Sequence, residues 1–258
     1  MDSILFNIEN GVAKITLNRP KVFNSINQEM ALRFQSYLDE CATNDEVRAV
    51  YLTGTGKAFC AGQDLAEIIS PDGPELTDIV GKHYNPIILK IRQLEKPVVC
   101  AVNGVAAGAG ANIALACDIT IAKESASFIQ AFSKIGLIPD SAGTFFLPRI
   151  IGMQRATALQ FLGDKVSAAD AADMGMIYKA VSNETFEEVT LKIANKLAKM
   201  PTKGIGLTKR LLNQSYSNNL EEQLTQEGIC QTEAGQTDDY MEGVNAFLEK
   251  RRPTFTGK

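Results

Sequence analysis

Residues 98–118, VVCAVNGVAAGAGANIALACD, restrict the fold more than any other part of the chain. The unbroken apolar run Val98 to Val102 reads as a buried strand. A turn rich in Gly and Ala follows, Asn103 to Gly110, and then Ala111 to Cys117, whose small residues read as a helix. Strand, turn and helix in that order leave the first N–H groups of the helix without intrahelical acceptors, and the helix dipole adds about half a positive charge there. Such an end suits a phosphate, a carboxylate or a developing oxyanion, and glycine and alanine let a ligand lie against the backbone. An ordinary βα turn whose small residues only permit close helix packing fits the same residues. At this point both readings stand.

The bulk numbers narrow the classes. With 258 residues, 45% of them hydrophobic, the chain can form one large domain, or a domain with an appendage, around a core that needs no disulfide staples. The formal net charge is −4 and the 26 Lys and Arg residues are spread along the chain, which gives no electrostatic case for nucleic-acid binding as the main activity. Apolar runs are too short to span a bilayer, and MDSILFNIENG lacks a basic region followed by a long apolar stretch and a cleavage site, so a cytoplasmic protein without membrane partners is expected. Cysteines 41, 60, 100, 117 and 230 form no C-x-x-C pair and mostly sit in apolar segments, which fits buried reduced thiols and no metal. His83, the single histidine, is expected to pack or face solvent, and no G-x-S-x-G elbow supports a serine triad.

Along the chain, Ile4 to Ile8 and Val12 to Leu17 flank Glu9-Asn10-Gly11 as a hairpin. Helical spacing of Met30, Phe34, Leu38 and Cys41 predicts a helix from Ile26 to Cys41, with Ser25 and Gln28 as a capping box. Val47 to Thr53 reads as a strand before the turn Gly54-Thr55-Gly56-Lys57, which has no Walker register. Pro71, Gly73 and Pro74 predict a mobile loop over Ile68 to Leu76, followed by a helix to Leu94. Short strands are expected at 119–122 and 127–129. Pro139 makes Asp140 the start of a new element, at or near a helix N-terminus. A helix capped by Ser167 and ending near Gly175, a strand over 176–181 and a helix over 184–199 complete an alternating α/β core. Beyond Pro201 only helices are expected, over 203–214, 220–234 and 238–250, with apolar faces that pack on the core or on another subunit. The tail, 251–258, is either solvated or in contact with ligand or neighbour.

Three segments together resemble the crotonase superfamily, the enoyl-CoA hydratase/isomerase fold. They are Leu17-Asn18-Arg19-Pro20 with Asn24, Ala58 through Leu65, and Ala101-Val102-Asn103-Gly104 through Gly108-Ala109-Gly110 to Cys117-Asp118. The resemblance implies an α/β fold, a spiral of ββα turns over 1–200 that binds an acyl-CoA thioester. It also implies a helical region over 201–258 that mediates homotrimers, often paired into hexamers, and covers the site. Coenzyme A is then part of the substrate, and no separate cofactor is implied.

Matched residue by residue, the backbone N–H groups of Gln63 and Ala109 polarise the thioester carbonyl. Lys21, Val22 and Phe23 lie near the nucleotide of coenzyme A, and Ala61 and Leu65 lie along the acyl-pantetheine path. Gly62, Asp64, Gly108, Asn112 and Phe132 complete the implied substrate-contacting set. Hydratases of this family hold a water between two glutamates, and this chain has Asn112 and Phe132 at those positions. Asp140, after Pro139, is the replacement acid/base. The strings Gly104 to Ala111 and Ala131 to Asp140 are similar to the ring-epoxide isomerases of phenylacetyl-CoA degradation, which implies isomerisation of a 1,2-epoxide to an oxepin or a shift of an enoyl-CoA double bond. Absence of Trp disfavours a dehalogenase. Enoyl-CoA hydration, as in fatty-acid β-oxidation, and non-catalytic acyl-CoA binding are the rival readings.

Overall fold

The computed structural model describes residues 2–71 and 73–258; Asp72, inside the loop expected over 68–76, lies outside the described residues. In chain order come β1 (Ile4–Glu9), β2 (Val12–Leu17), a 3-10 turn (Pro20–Val22), α1 (Gln28–Thr43), β3 (Ala49–Gly54), β4 (Ala58–Cys60), α2 (Leu65–Ile68) and α3 (Leu76–Asp78). A π-helical stretch, Ile79–Tyr84, runs straight into α4 (Asn85–Gln93). Then follow β5 (Val98–Val102), β6 (Val105–Ala107), α5 (Ala109–Ala116), β7 (Ile119–Lys123), β8 (Ser127–Ile129), a 3-10 turn (Ala131–Ile135), α6 (Gly143–Ile151) and α7 (Met153–Leu162). The remainder is β9 (Lys165–Ser167), α8 (Ala168–Asp173), β10 (Lys179–Val181), α9 (Phe186–Leu197), α10 (Thr202–Gln214), α11 (Leu220–Ala234) and α12 (Asp238–Leu248).

Among the described residues ten strands form two sheets, β1-β2-β3-β5-β7-β10 and β4-β6-β8-β9. Each turn of the chain lays one strand in the first sheet, bends, and lays the next in the second: β3 then β4, β5 then β6, β7 then β8. Asparagines lace the bends. Asn24 Nδ2 donates to the carbonyls of Thr55 and Ala58, and Asn103 accepts from the Gly54 N–H while donating to Gly56 O. The first sheet is covered on both faces, so its central strands have no polar side. Val98, Cys100 and Val102 enter the larger core with Val50 and Leu52, while Val99 and Ala101 face a second core with Ala49, Tyr51, Phe186 and Ala194 of α9. This is why β5 reads as an unbroken apolar run.

Several expectations shift in detail. α1 starts at Gln28, because Asn27 Oδ1 accepts the Met30 N–H at 3.1 Å; the Ser25–Gln28 box does not form, and the Gln28 N–H instead donates to Glu67 Oε1. The helix expected to Leu94 contains the π-helical stretch, a backbone form often found at functional sites. Part of the turn expected over 103–110 is the strand β6. The strand expected over 176–181 is only β10, since Met176 and Ile177 turn back to the Ala171 carbonyl at the end of α8. Helix α6 begins at Gly143, three residues after Asp140, because Ser141 and Ala142 adopt left-handed φ values of 50° and 60°.

α10 joins the core through a buried charge cluster. The Lys209 ammonium reaches Asp118 at 2.8 Å and the Ile91 carbonyl at 2.7 Å, and Asp118 also takes Arg92 and the Val98 N–H. Burial pulls the Lys209 proton affinity down and Asp118 opposes that pull. The C-terminal tail is exposed over most of its length yet tethered. It docks on its own chain: Arg48 donates to Phe255 O and Met200 O, and Asp239 accepts the N–H groups of Thr256 and Gly257. His83 is buried, as are all five cysteines, none of them in a disulfide. Among the described residues no helix is long and apolar enough to cross a membrane.

Candidate active site

Two backbone segments meet where β4 and β6 end. Gly62 has φ 90°, a conformation that glycine alone adopts without penalty, and a Cβ on it would stand 3.0 Å from Ala107 O and 3.3 Å from Ala109 N. The next residue, Gln63, is fixed by bridging to Ile26: the Ile26 N–H donates to Gly62 O and the Asp64 N–H to Ile26 O. Across from it Gly108, with φ 54° and ψ −128°, turns the chain into α5, and Ala109 is the first helical residue. Among the described residues neither the Gln63 N–H nor the Ala109 N–H donates to another backbone or side-chain acceptor. Of the two readings of the Gly-rich turn, the structure therefore retains both: small residues pack closely, and the helix start keeps an open donor beside a second one.

Phe132 is buried, with its ring 3.8 Å from where a Gly108 Cβ would lie. An apolar ring beside the two donors lowers the local dielectric and strengthens any charge–dipole contact made there. The Gln63 side chain turns away along α2, its Nε2 donating to Glu67 at 3.0 Å and its Oε1 buried without a partner.

The Asp140 carboxyl is half-buried, and burial pushes its pKa up, opposed by a hydrogen bond from Ser141. Ser141 Oγ donates to Asp140 Oδ1 at 2.8 Å. The left-handed backbone at Ser141 and Ala142 costs on the order of 1 kcal/mol at each residue. Hydrogen bonds to the Asp140 carbonyl hold that turn in place, from the Gly143 N–H at 2.9 Å and from Asn112 Nδ2 at 2.8 Å. Asn112 in turn accepts from Gln130 Nε2 at 2.8 Å. With both ends of its amide engaged and only 1% exposure, Asn112 supports the turn from behind and does not line the open surface.

The remaining predicted residues separate into two groups. Lys21, Val22, Phe23 and Leu65 are exposed, and Ala61 is partly so, its N–H held by Phe23 O. Asp64 is engaged in the fold: its carboxylate caps α2 through the Ala66 N–H and pairs with Arg19 at 2.8 Å. Reasoning from sequence missed Ser141, Gln130 and Tyr84. Among the described residues Tyr84 is fully buried with an unpartnered hydroxyl, whose proton affinity is raised first by burial and then by the charges of Cys60, Asp140, Glu67 and Asp64. Only its place in the π-helical stretch marks it out. A cavity of about 640 Å³ between α4, α6 and α10, walled by Ile88, Phe145, Phe146 and Tyr216, borders the Asp140 turn only at Ala142.

Residues 7–258 match the family described as Enoyl-CoA hydratase/isomerase. The chain is 48% identical over 261 residues to the 1,2-epoxyphenylacetyl-CoA isomerase of Escherichia coli (strain K12), the match covering 100% of both. It is 37% identical to the trans-2-decenoyl-acyl-carrier-protein isomerase of Streptococcus mutans, over 99% of this chain and 98% of that one. The crystal structure of an enoyl-CoA hydratase from Bacillus anthracis superposes with a TM-score of 0.93 at 33% identity, covering 100% of each chain. The crotonase fold expected from the sequence is the fold these proteins share.

Proposed function

Because the chain belongs to the enoyl-CoA hydratase/isomerase family, we propose that it is an acyl-CoA isomerase in which one carboxyl group, Asp140, moves a proton between two carbons. The observation that carries this reading is the company Asp140 keeps. It is a half-buried carboxyl of raised proton affinity, and Asn112 and Phe132 occupy the positions where hydratase relatives are expected to hold their two water-activating glutamates.

The thioester carbonyl oxygen rests on the Gln63 and Ala109 N–H groups. As Asp140 takes a proton from the carbon next to the carbonyl, the electron pair moves into an enolate whose oxygen carries the charge. Two preorganised donors each contribute roughly 3 kcal/mol to such a transition state. The proton then returns from Asp140 to a different carbon, so the enzyme ends unchanged and the substrate is isomerised. A carboxyl whose pKa is raised is a stronger base for a C–H proton than an ordinary one. One carboxyl suffices for this shuttle, and no metal or redox group takes part in it.

The substrate class is a 1,2-epoxyphenylacetyl-CoA, rearranged to an oxepin, or a 3-enoyl-CoA whose double bond shifts toward the carbonyl. Full-length identity to an isomerase named for the first supports it. Exposed Lys21, Val22 and Phe23 are suited to the nucleotide of coenzyme A. Exposed apolar side chains on α11 and α12, such as Leu220, Leu224 and Phe247, favour a homotrimer or its paired hexamer. The deciding assay compares Asp140→Asn with the parent on a 3-enoyl-CoA and on the ring epoxide. Loss of turnover on at least one is expected; turnover close to the parent on both overturns the reading.

A further inference from the structure

Ser141 and Ala142, both at positive φ, follow Asp140 directly. Glycine adopts this region freely, so other residues persist there only where surrounding contacts over-determine the backbone. Those contacts converge on the Asp140 peptide, whose carbonyl takes Asn112 and Gly143. In the resulting conformation the buried Ser141 side chain folds back onto the carboxyl it follows, Oγ to Oδ1. Among the described residues it is the one side-chain donor on that carboxyl, and no cation is paired with it. Among the titratable groups of the packed elements, the Tyr84 hydroxyl feels the charge of Asp140, together with those of Cys60, Glu67 and Asp64.

We propose that Ser141 is the positioning residue of the proton shuttle: its hydroxyl ties down Oδ1 of Asp140, so that the proton is carried on Oδ2. The proposal rests on the isomerase reading above. In the forward step Oδ2 takes the proton from the substrate carbon and the C–H electron pair enters the enolate. In the return step the enolate's remote carbon takes the proton back from Oδ2, and the carboxylate is restored. A donor on Oδ1 also favours the ionised carboxyl that burial disfavours, which keeps the base available at neutral pH.

The test uses the full-length chain with Ser141→Ala and Ser141→Gly, measuring kcat and KM on a 3-enoyl-CoA across about pH 5 to 9. Both variants are expected to lose about tenfold or more in kcat, with KM within about threefold and the acid limb of the profile displaced upward by roughly half to one pH unit. An acid limb that stays at the parent's position in both variants overturns the proposal, whatever happens to the rate. Should Ser141→Ala not fold, Ser141→Gly carries the test alone, because glycine accepts the positive φ without strain. Asp140→Asn on the same substrate separates the two layers. If it turns over like the parent, the isomerase reading falls and this proposal with it; if it is inactive while both Ser141 variants keep the parent's limb, only the Ser141 role falls.

Discussion

Gly110 lies so close to Cys60 that a Cβ on the glycine would stand 2.3 Å from the Cys60 carbonyl oxygen. The first turn of α5 is thereby pressed onto the end of β4, and the N–H groups of Ala109 and Gln63 are held at the spacing that this contact sets. Gly110→Ala therefore forces the two halves apart. On the proposed reading, in which these two N–H groups hold the substrate oxyanion, removal of one such donor costs about 10²- to 10³-fold in kcat, so a loss of that order is expected, with KM affected far less, in steady-state assays of a variant that has passed a circular-dichroism check of its fold.

Asp140→Asn is expected to lower kcat by about 10²- to 10⁴-fold, the range of a general acid–base group. Its effect on stability runs the other way. Burial raises the folded pKa of Asp140 above its unfolded value, so holding the carboxylate in the folded state is a cost above the folded pKa that disappears as pH falls to the unfolded value. The Asn variant should melt higher than the parent near neutral pH, and the gap should close as pH is lowered toward about 4. Parallel thermal melts across that range check both the sign and the window. The parent's kcat should decline on acidification through the same raised pKa, since the shuttle begins from the ionised form.

Tyr84 buries a hydroxyl without a partner, and burial pushes its pKa well up. Removing an unsatisfied polar group from a buried site relieves a desolvation cost of about 1–3 kcal/mol. Tyr84→Phe should therefore match or exceed the parent in urea denaturation. A loss of more than about 1 kcal/mol would mean that the hydroxyl has a hydrogen-bond partner in solution.

Asp118 is the counter-charge that makes a buried Lys209 tolerable. Deleting it leaves an ammonium group without its partner at the junction of α10 with the sheet, a situation that costs about 3–5 kcal/mol. Asp118→Ala should show that loss in chemical denaturation, and Asp118→Ala combined with Lys209→Met should recover much of it. Equal loss in the single and double variants would argue against the pair as the cause.

The sequence carried the first sheet well because all of its strands but the three-residue β10 are five or six residues long and their apolar runs extend between clear turns. β4, β6, β8 and β9 are three residues each. Of these only β8 was expected as a strand, since three residues hold too little pattern to tell strand from turn. Pro139, which restricts the residue before it, marked Asp140 as the start of a new element, and its acid/base role came from the family resemblance. Gln63 and Ala109 came from the family resemblance alone: a backbone donor leaves no side-chain signature, and any residue can supply it. Ser141 was hidden for a different reason. Its importance lies in a positive φ and a hydrogen bond to its own neighbour, and neither is written in residue type.

Asn112 and Gly143 are in contact as well, for a Cβ on Gly143 would fall 2.3 Å from Asn112 Nδ2. The Asn112 amide donates to the Asp140 carbonyl, whereas a glutamate there would turn an acceptor toward that acceptor, with an extra methylene and no free volume on the Gly143 side. Asn112→Glu is thus expected to break the turn that presents Asp140. On the proposed isomerase reading, a change of activity on this scaffold is therefore expected to need more than one substitution. Position 112 and the 140–143 turn must be replaced together, and the one-step intermediates between the two activities are expected to be poor at both.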